Sequence, residues 1–202
     1  MIIKAEIGKG VRNAKKIGLK EFKDLYRKHI VKDFPREERS NLNKFKKRIL
    51  NGKEEAYIYY EDGKEKAYTI VAVLNNYVLV SYLAVFKEYR GKGIGTKLLE
   101  EIKENFSNKN GIILEVEDPN YSVSKTDKII REKRIKFYEK SNYKIVENIG
   151  ISFYTTVFKI MILNNSGKET EQKEIAEELS DFYKNISKRY GETLFFNIIN
   201  NP

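Results

Sequence analysis

Cysteine is absent from the 202 residues, and histidine occurs once. Without cysteine the chain has no disulfide, no thiolate zinc site and no cysteine nucleophile. One histidine is too few for a histidine-rich metal site. No apolar run approaches about 18 residues, so no membrane-spanning helix is expected. The first residues alternate apolar and charged side chains, unlike a signal peptide. These absences predict a cytoplasmic protein that needs no metal and has no membrane partner.

Positive charge is concentrated in the first part of the chain. The formal net charge is +10, and residues 1–60 hold 17 Lys and Arg against 8 Asp and Glu. Such a segment could attract nucleic acid, an acidic protein or the phosphates of a cofactor. No stacking aromatic residues are interleaved with these charges, as a single-strand binder would need. We therefore favour a solvated lysine-rich surface over a nucleic-acid partner.

The stretch 89–96 carries three glycines that alternate with other residues. It follows the apolar run 77–86 and precedes the amphipathic run 94–106, which is the order strand, glycine-rich turn, helix. Glycine allows close backbone approach and positive φ, and the free N–H groups at a helix start favour an anion. Arg90 and Lys92 add positive charge. The pattern indicates a pyrophosphate site; a glycine-rich turn without a ligand is the alternative.

The spacing of the glycines distinguishes between the known classes of phosphate-binding motif. It fits neither the Walker A loop nor the G-x-G-x-x-G dinucleotide fingerprint. The order Arg-Gly-x-Gly-x-Gly resembles the R/Q-x-x-G-x-G/A motif of GNAT-family acetyltransferases, and the phrase 83–95 is similar to that family's central strand and loop. The resemblance implies acetyl-CoA as co-substrate, with its pyrophosphate held by Arg90, Gly91, Lys92, Gly93, Ile94, Gly95 and Thr96.

The element order predicts the fold class. Periodicity predicts a strand at 1–7, two helices, a three-strand meander, a helix, a strand, a helix and two strands. By itself this indicates a mixed α/β protein with a partly antiparallel sheet. The order resembles the GNAT acyl-CoA N-acyltransferase fold, which implies a largely antiparallel sheet with a V-shaped splay. We expect a GNAT domain at 1–163 and a C-terminal helical extension at 164–202.

Local signals predict several element boundaries. Ser40 or Asn41 is expected to cap the second helix, and Asp62-Gly63 to form a hairpin turn. A helix is predicted from about Asp127 to Lys140, with Ile130 and Phe137 facing inward. The two closing strands are predicted at 142–146 and 151–163.

A tyrosine near the end of that helix is the candidate proton donor. The phrase 137–143, Phe-Tyr-Glu-Lys-Ser-Asn-Tyr, resembles the family's (L/F)-Y-E-K-x-G-F, with Asn142 where glycine is usual. Asn tolerates left-handed φ, so the helix can still end there. The resemblance implies that Tyr138 protonates the departing thiolate. The alternative is a core tyrosine.

The resemblance also implies backbone contacts to the cofactor. In the family a bulge in the central strand turns backbone N–H groups towards the pantetheine and the thioester carbonyl. The matching positions are Leu83, Ala84, Val85 and Phe86. The family often has asparagine seven residues before the tyrosine, where this chain has Arg131, and alanine where it has Arg134. Arg131, or alternatively Arg134, is therefore expected to reach a cofactor phosphate or an acidic substrate group.

Two acidic side chains are candidates for the base that deprotonates the amine. Glu115 and Glu117 are two apart on a predicted strand, so both should point to one face. A carboxylate beside the splay could take a proton directly or through water, or attract a cationic amine. A surface pair at the sheet margin is the alternative.

Together these features predict an acetyl-CoA-dependent N-acetyltransferase. It would transfer the acetyl group directly to a primary amine of a small molecule or peptide, since no cysteine is present to carry an acyl group. A non-catalytic acyl-CoA-binding regulator, or a regulator that binds nucleic acid or protein on the same fold, is the alternative. A homodimer is compatible with the extension.

Overall fold

The computed structural model describes residues 13–36, 38–153, 156–167, 171–190 and 197–198. Their strands are β1 (Ala14–Lys16), β2 (Glu54–Glu61), β3 (Lys64–Val73), β4 (Tyr77–Val85), β5 (Gly111–Glu117), β6 (Lys144–Phe153), β7 (Thr156–Asn164) and β8 (Asn197–Ile198). Within this part of the chain they form one sheet in the order β1-β2-β3-β4-β5-β7-β6-β8. The strand predicted at 1–7 lies outside the described residues.

The described helices lie between these strands along the chain. They are α1 (Leu19–Leu25), α2 (Val31–Asp33), α3 (Leu42–Leu50), α4 (Ile94–Asn105), α5 (Lys125–Lys140) and α6 (Gln172–Tyr190). A π-helical turn, Tyr26–Ile30, joins α1 to α2. Asn41 caps α3 by accepting a hydrogen bond from the Lys44 amide, as predicted. None of the described helices has the length and apolar character needed to cross a bilayer.

The sheet opens between its two central strands. β4 and β5 are parallel and pair only from Tyr77 with Gly111 to Val80 with Leu114. The other pairs of neighbouring strands in the described residues are antiparallel. Both strands continue beyond the last pair, so their carboxyl-terminal ends diverge. The predicted mixed, largely antiparallel sheet with a V-shaped splay is confirmed.

Helices cover both faces of the sheet. On one face α4 and α5 bury Leu98, Ile102 and Ile135 against the strands. On the other face α1 and α3 pack over β2 to β4, with Phe22 and Phe45 fully buried. The last helix, α6, covers the remainder of that second face through buried side chains (Ile175 and Leu179). The splay is thus flanked by helices on both sides.

The hairpin turn was predicted correctly, whereas two predictions for the second half of the chain, one on α5 and one on β6, were wrong. Asp62 and Gly63 both have positive φ (54° and 72°), as a type I′ turn requires. Ile130 is half exposed, because the inward face of α5 is formed by Arg131, Ile135 and Tyr138. The last strand was predicted to begin at residue 151, but residues 151–153 belong to β6. That strand continues past residue 146 because it pairs with β7 on both sides of an irregularity between Ile145 and Gly150.

The start of α5 offers a test of local stability. Ser124 caps the helix, because its side chain accepts a hydrogen bond from the Asp127 amide (3.1 Å). We expect Ser124→Ala to lower the free energy of unfolding by about 1 kcal/mol, measured by urea denaturation. Ser122→Ala is the matched control, since no side-chain hydrogen bond of Ser122 is found in the described residues. Equal losses in both variants would contradict the capping role.

Candidate active site

The glycine-rich loop between β4 and α4 has the geometry of an anion site. Gly91 and Gly93 have positive φ (73° and 76°), and a Cβ on either would meet no atom within 4 Å. Gly93 is the N-cap of α4, and the first bond of the helix runs from the Lys97 amide to the Gly93 carbonyl (3.1 Å). The amides of residues 94–96 therefore have no acceptor within the helix. They form a cluster of donors at the positive end of the helix dipole.

The two basic residues of the loop bond backbone carbonyls just before it in the chain. Arg90 Nε donates to the Val85 carbonyl oxygen (2.9 Å). Lys92 Nζ donates to the Glu88 carbonyl oxygen (3.0 Å). Both cations lie at the rim of the loop: Arg90 ties it to the end of β4, and Lys92 ties it to the turn Lys87–Tyr89 that follows β4. The loop and the strand end are thus one connected structure.

The third glycine has a packing role that the sequence does not reveal. A Cβ on Gly95 would lie 3.0 Å from Phe137 Cζ and 3.4 Å from Val85 Cγ2. The first turn of α4 therefore approaches α5 and β4 closely only because this residue has no side chain. That Gly95 also contacts the cofactor through its backbone stays a prediction, as it does for Ile94 and Thr96.

The end of β4 presents backbone groups to the splay. Phe86 N donates to Lys66 O of β3 (2.9 Å). Because hydrogen-bonded and non-hydrogen-bonded pairs alternate in an antiparallel ladder, the N–H and C=O groups of Leu83 and Val85 face away from β3, towards the open side. Those of Ala84 and Phe86 face β3.

The bulge of β4 lies earlier than predicted. The β3–β4 register passes from Ile70 with Tyr82 to Val71 with Val80, so the additional residue is Ser81. The bulge was expected within 83–86; it falls where β4 leaves its last pairing partner on β5, because the strand must bend there to open the sheet. The assignment of Leu83, Ala84, Val85 and Phe86 to the cofactor stays a prediction.

Tyr138 lies in the core on the α4–α5 face. It is 9% exposed, and its ring lies 5.0 Å from that of Phe137 and 6.0 Å from that of Tyr143. Its hydroxyl has no hydrogen-bond partner among the described residues. Burial raises the pKa of Tyr138, so the phenol stays protonated at neutral pH. The side chain is suited to donate a proton, which leaves its catalytic role as a prediction.

Glu115 has an environment typical of a functional carboxylate. It is half-buried on β5, one residue beyond the last pair with β4. Tyr183 Oη of α6 donates to it and lies 2.7 Å from Oε1 and 2.8 Å from Oε2. Burial raises the pKa of Glu115 to about 7, although the bond from Tyr183 acts in the opposite direction. A carboxylate with such a pKa can exchange protons near neutral pH.

Glu117 and Arg131 are occupied by contacts with each other and with their neighbours. Glu117 pairs with Arg134 and lies 3.7 Å from Arg131. The buried guanidinium of Arg131 also pairs with Asp127 (3.0 Å) and donates to the Asp118 carbonyl oxygen (3.0 Å). These contacts fix the turn after β5 to α5. That Arg131 binds the cofactor and Glu117 acts as a base are predictions that these contacts do not favour.

Two contacts near the splay join distant segments and are not visible in local sequence patterns. Tyr183 lies 68 residues from Glu115 in the chain. Tyr82, on β4, donates to the Glu38 carbonyl oxygen (2.8 Å) and accepts from the Ser40 amide (3.3 Å), which holds the segment between α2 and α3 against the sheet.

The comparisons with known proteins identify the family. Residues 52–145 match the sequence model described as the acetyltransferase (GNAT) domain. YjbC of Bacillus subtilis (strain 168), named as a candidate acetyltransferase, is 33% identical over 150 residues, which cover 70% of this chain and 74% of YjbC. The chain belongs to the GNAT acetyltransferase family. This confirms the resemblance that the loop 89–96 and the phrase 137–143 indicated.

Solved structures confirm the GNAT fold. A candidate GNAT-family acetyltransferase from Bacteroides thetaiotaomicron superposes with a TM-score of 0.69 at 19% identity, over 89% of this chain and 99% of that chain. An aminoglycoside 6'-N-acetyltransferase complexed with coenzyme A superposes with a TM-score of 0.55 at 16% identity, over 78% and 99%. At these identities the likeness concerns the fold alone.

Proposed function

We propose that this GNAT acetyltransferase transfers the acetyl group of acetyl-CoA directly to a primary amine. One observation carries the proposal: the free amides at the start of α4 lie at the end of the strand whose Leu83 and Val85 backbone groups face the splay. An anion site is thereby continuous with backbone groups that β3 does not pair: the N–H and C=O of Leu83 and the N–H of Val85, whose carbonyl oxygen accepts from Arg90. A cofactor with a pyrophosphate at one end and amides along its arm matches this arrangement.

The fit to acetyl-CoA assigns a role to each predicted residue of the loop and strand. The residues that would hold the pyrophosphate are Arg90, Gly91, Lys92, Gly93, Ile94, Gly95 and Thr96. The N–H and C=O of Leu83 would bond the pantetheine in the manner of a neighbouring strand, and the Val85 N–H would polarise the thioester carbonyl. The coenzyme A complex of the aminoglycoside acetyltransferase, which shares this fold, supports coenzyme A as the carrier of the acetyl group.

Glu115 and Tyr138 would carry the two proton transfers. Glu115 accepts a proton from the ammonium of the acceptor, directly or through a water molecule, and the neutral nitrogen forms a bond to the thioester carbon. As the carbon–sulfur bond breaks, the Tyr138 hydroxyl donates its proton to the departing sulfur. The nitrogen loses its second proton as the amide forms; this proton reaches Tyr138 through solvent, and Glu115 releases the first one to solvent. The transfer needs no acyl-enzyme, in keeping with the absence of cysteine.

The acceptor side favours a cationic amine. Glu115 supplies negative charge at the opening, and the aromatic ring of Tyr82 lies on the same face of the sheet. A carboxylate attracts an ammonium group and then takes its proton, so one side chain serves both binding and catalysis. We therefore propose a small molecule or peptide with a primary ammonium group as acceptor.

Calorimetric titration of acetyl-CoA into the protein, followed by an acceptor screen, tests the proposal. The screen measures thiol release from acetyl-CoA with diamines, aminoglycosides, amino acids and peptides. We expect saturable binding at one site and thiol release that depends on the amine. Binding without thiol release from any amine would favour an acyl-CoA-binding regulator, and the lack of binding would overturn the enzyme proposal.

The pH dependence of the reaction is a second prediction. Because the pKa of Glu115 is raised to about 7, protonation removes the base as the pH falls. We expect kcat/KM to fall about tenfold per pH unit below pH 7 and to level off above it. Glu115→Gln should remove this acidic limb together with most of the activity. An identical pH profile in that variant would show that another group is the base.

A further inference from the structure

The C-terminal helix reaches the proposed acceptor side through a tyrosine. Tyr183 of α6 donates its one hydroxyl proton to Glu115, and its oxygen lies 2.7 and 2.8 Å from the two carboxylate oxygens. Its ring is held at 4.9 Å from that of Phe153 and 5.0 Å from that of Phe182. A carboxylate has about four lone-pair sites, so this contact leaves Glu115 able to accept from an amine or a water molecule.

We propose that Tyr183 is a positioning residue that fixes the Glu115 carboxylate beside the splay, so that α6 completes the acceptor side of the site. The inference rests on the proposed function, in which Glu115 accepts the proton of the amine. Tyr183 itself would touch neither substrate. Its hydroxyl favours the charged, correctly oriented form of the base.

Attachment of α6 does not require this bond. Glu174 accepts a hydrogen bond from the Tyr77 hydroxyl (2.7 Å), and Glu178 accepts one from the Asn76 amide (2.7 Å). Ile175 and Leu179 are buried against the sheet. The helix is therefore fixed by other contacts near its start. The pair of Tyr183 with Glu115 places a carboxylate in a half-buried position, which costs desolvation free energy. Carboxylates in such positions are enriched at functional sites.

Among the groups around this pair, Tyr183 is the one that bonds the Glu115 carboxylate directly. Tyr82 of β4 lies near Tyr183, and so does Glu54 of β2, which pairs with Arg48 of α3 (2.9 Å). The residue that pairs with Glu115 on the neighbouring strand β7 is the apolar Ile160. In the described residues, the hydrogen bonds to Glu115 come from Tyr183.

Tyr183→Phe tests the inference by a change in the titration of Glu115. The midpoint is measured by NMR on protein labelled with ¹³C at the glutamate carboxyl carbon, and its signal is assigned by its loss in Glu115→Gln. Without the hydroxyl the carboxylate loses a stabilising bond, so we expect the midpoint to rise by about one pH unit. With 1,4-diaminobutane as the amine probe, the acidic limb of kcat/KM should move by the same amount.

Tyr77→Phe is the matched control. It removes another hydrogen bond between a tyrosine and a carboxylate at the same helix, but at Glu174. We expect the Glu115 midpoint to stay at the wild-type value. An unchanged midpoint in Tyr183→Phe, or equal shifts in both variants, would overturn the inference.

The two readouts separate this inference from the proposed function. If the wild type releases no thiol with the probe while Tyr183→Phe still raises the Glu115 midpoint, the coupling stands and the choice of amine is wrong. If thiol release proceeds and Tyr183→Phe moves neither the midpoint nor the acidic limb, the proposed function stands and the positioning role is wrong.

Discussion

Gly93→Glu is expected to abolish the binding of acetyl-CoA, with a loss of at least about 100-fold in affinity. Gly93 has φ of 76° and caps α4. A side chain there costs about 1 kcal/mol or more in backbone strain. The new carboxylate would lie at the start of the helix, where it would take the place of the pyrophosphate and repel it. Calorimetric titration measures the loss.

Gly52→Glu is the matched control for this substitution. Gly52 also has positive φ (67°), and a Cβ added there would meet no atom within 4 Å, so the strain and the added charge are similar. Gly52 lies far from the glycine-rich loop. Its neighbour Lys53 accepts a hydrogen bond from Val73 at the end of β3, whereas Val85, just before the loop, pairs with Ala67 near the start of β3. We expect affinity within about twofold of the wild type. If Gly93→Glu bound acetyl-CoA as tightly as Gly52→Glu, the loop would not be the pyrophosphate site.

Tyr138→Phe is expected to lower kcat by about 100-fold while the affinity for acetyl-CoA changes little. The substitution keeps the ring that packs against Phe137 and Tyr143. It removes only the hydroxyl that would protonate the sulfur, so the sulfur must leave as a charged thiolate or wait for a proton from solvent. Thiol release measures kcat, and calorimetry measures the affinity.

Tyr143→Phe provides the comparison for a hydroxyl in the same core. Tyr143 is 2% exposed, and its hydroxyl is buried without a partner among the described residues. Removing an unsatisfied buried hydroxyl should leave kcat unchanged and stability equal or higher. Wild-type kcat in Tyr138→Phe would show that Tyr138 is a core residue and that the proton comes from elsewhere.

The features that the sequence predicted well are those with a local signal. The glycines of the loop at 91 and 93, and the turn at Asp62 and Gly63, need positive φ, which few residue types adopt. The apolar run of β4 and the cap Asn41 are also local. These elements fixed the fold class and the position of the candidate cofactor site, because the motif lies between a strand and a helix.

The features that the sequence did not predict depend on tertiary contacts. Ile130 was expected inward, yet Arg131 occupies the buried face of α5 because Asp127 and the Asp118 carbonyl oxygen bind its guanidinium. The bulge at Ser81 follows from where β4 loses its partner strand. The contact of Tyr183 with Glu115 joins distant segments, and no pattern of spacing indicates it.

The short seam between β4 and β5 gives α6 a mechanical role. In the described strands, four register pairs of β4 with β5, from Tyr77 with Gly111 to Val80 with Leu114, join the two halves of the sheet. The helix crosses this seam, since it binds Tyr77 on one side and packs against Ile113 and Ile160 on the other. It therefore acts as a clamp at the closed end of the V. A force or partner that lifted α6 would loosen the seam, and the angle of the opening would change with it.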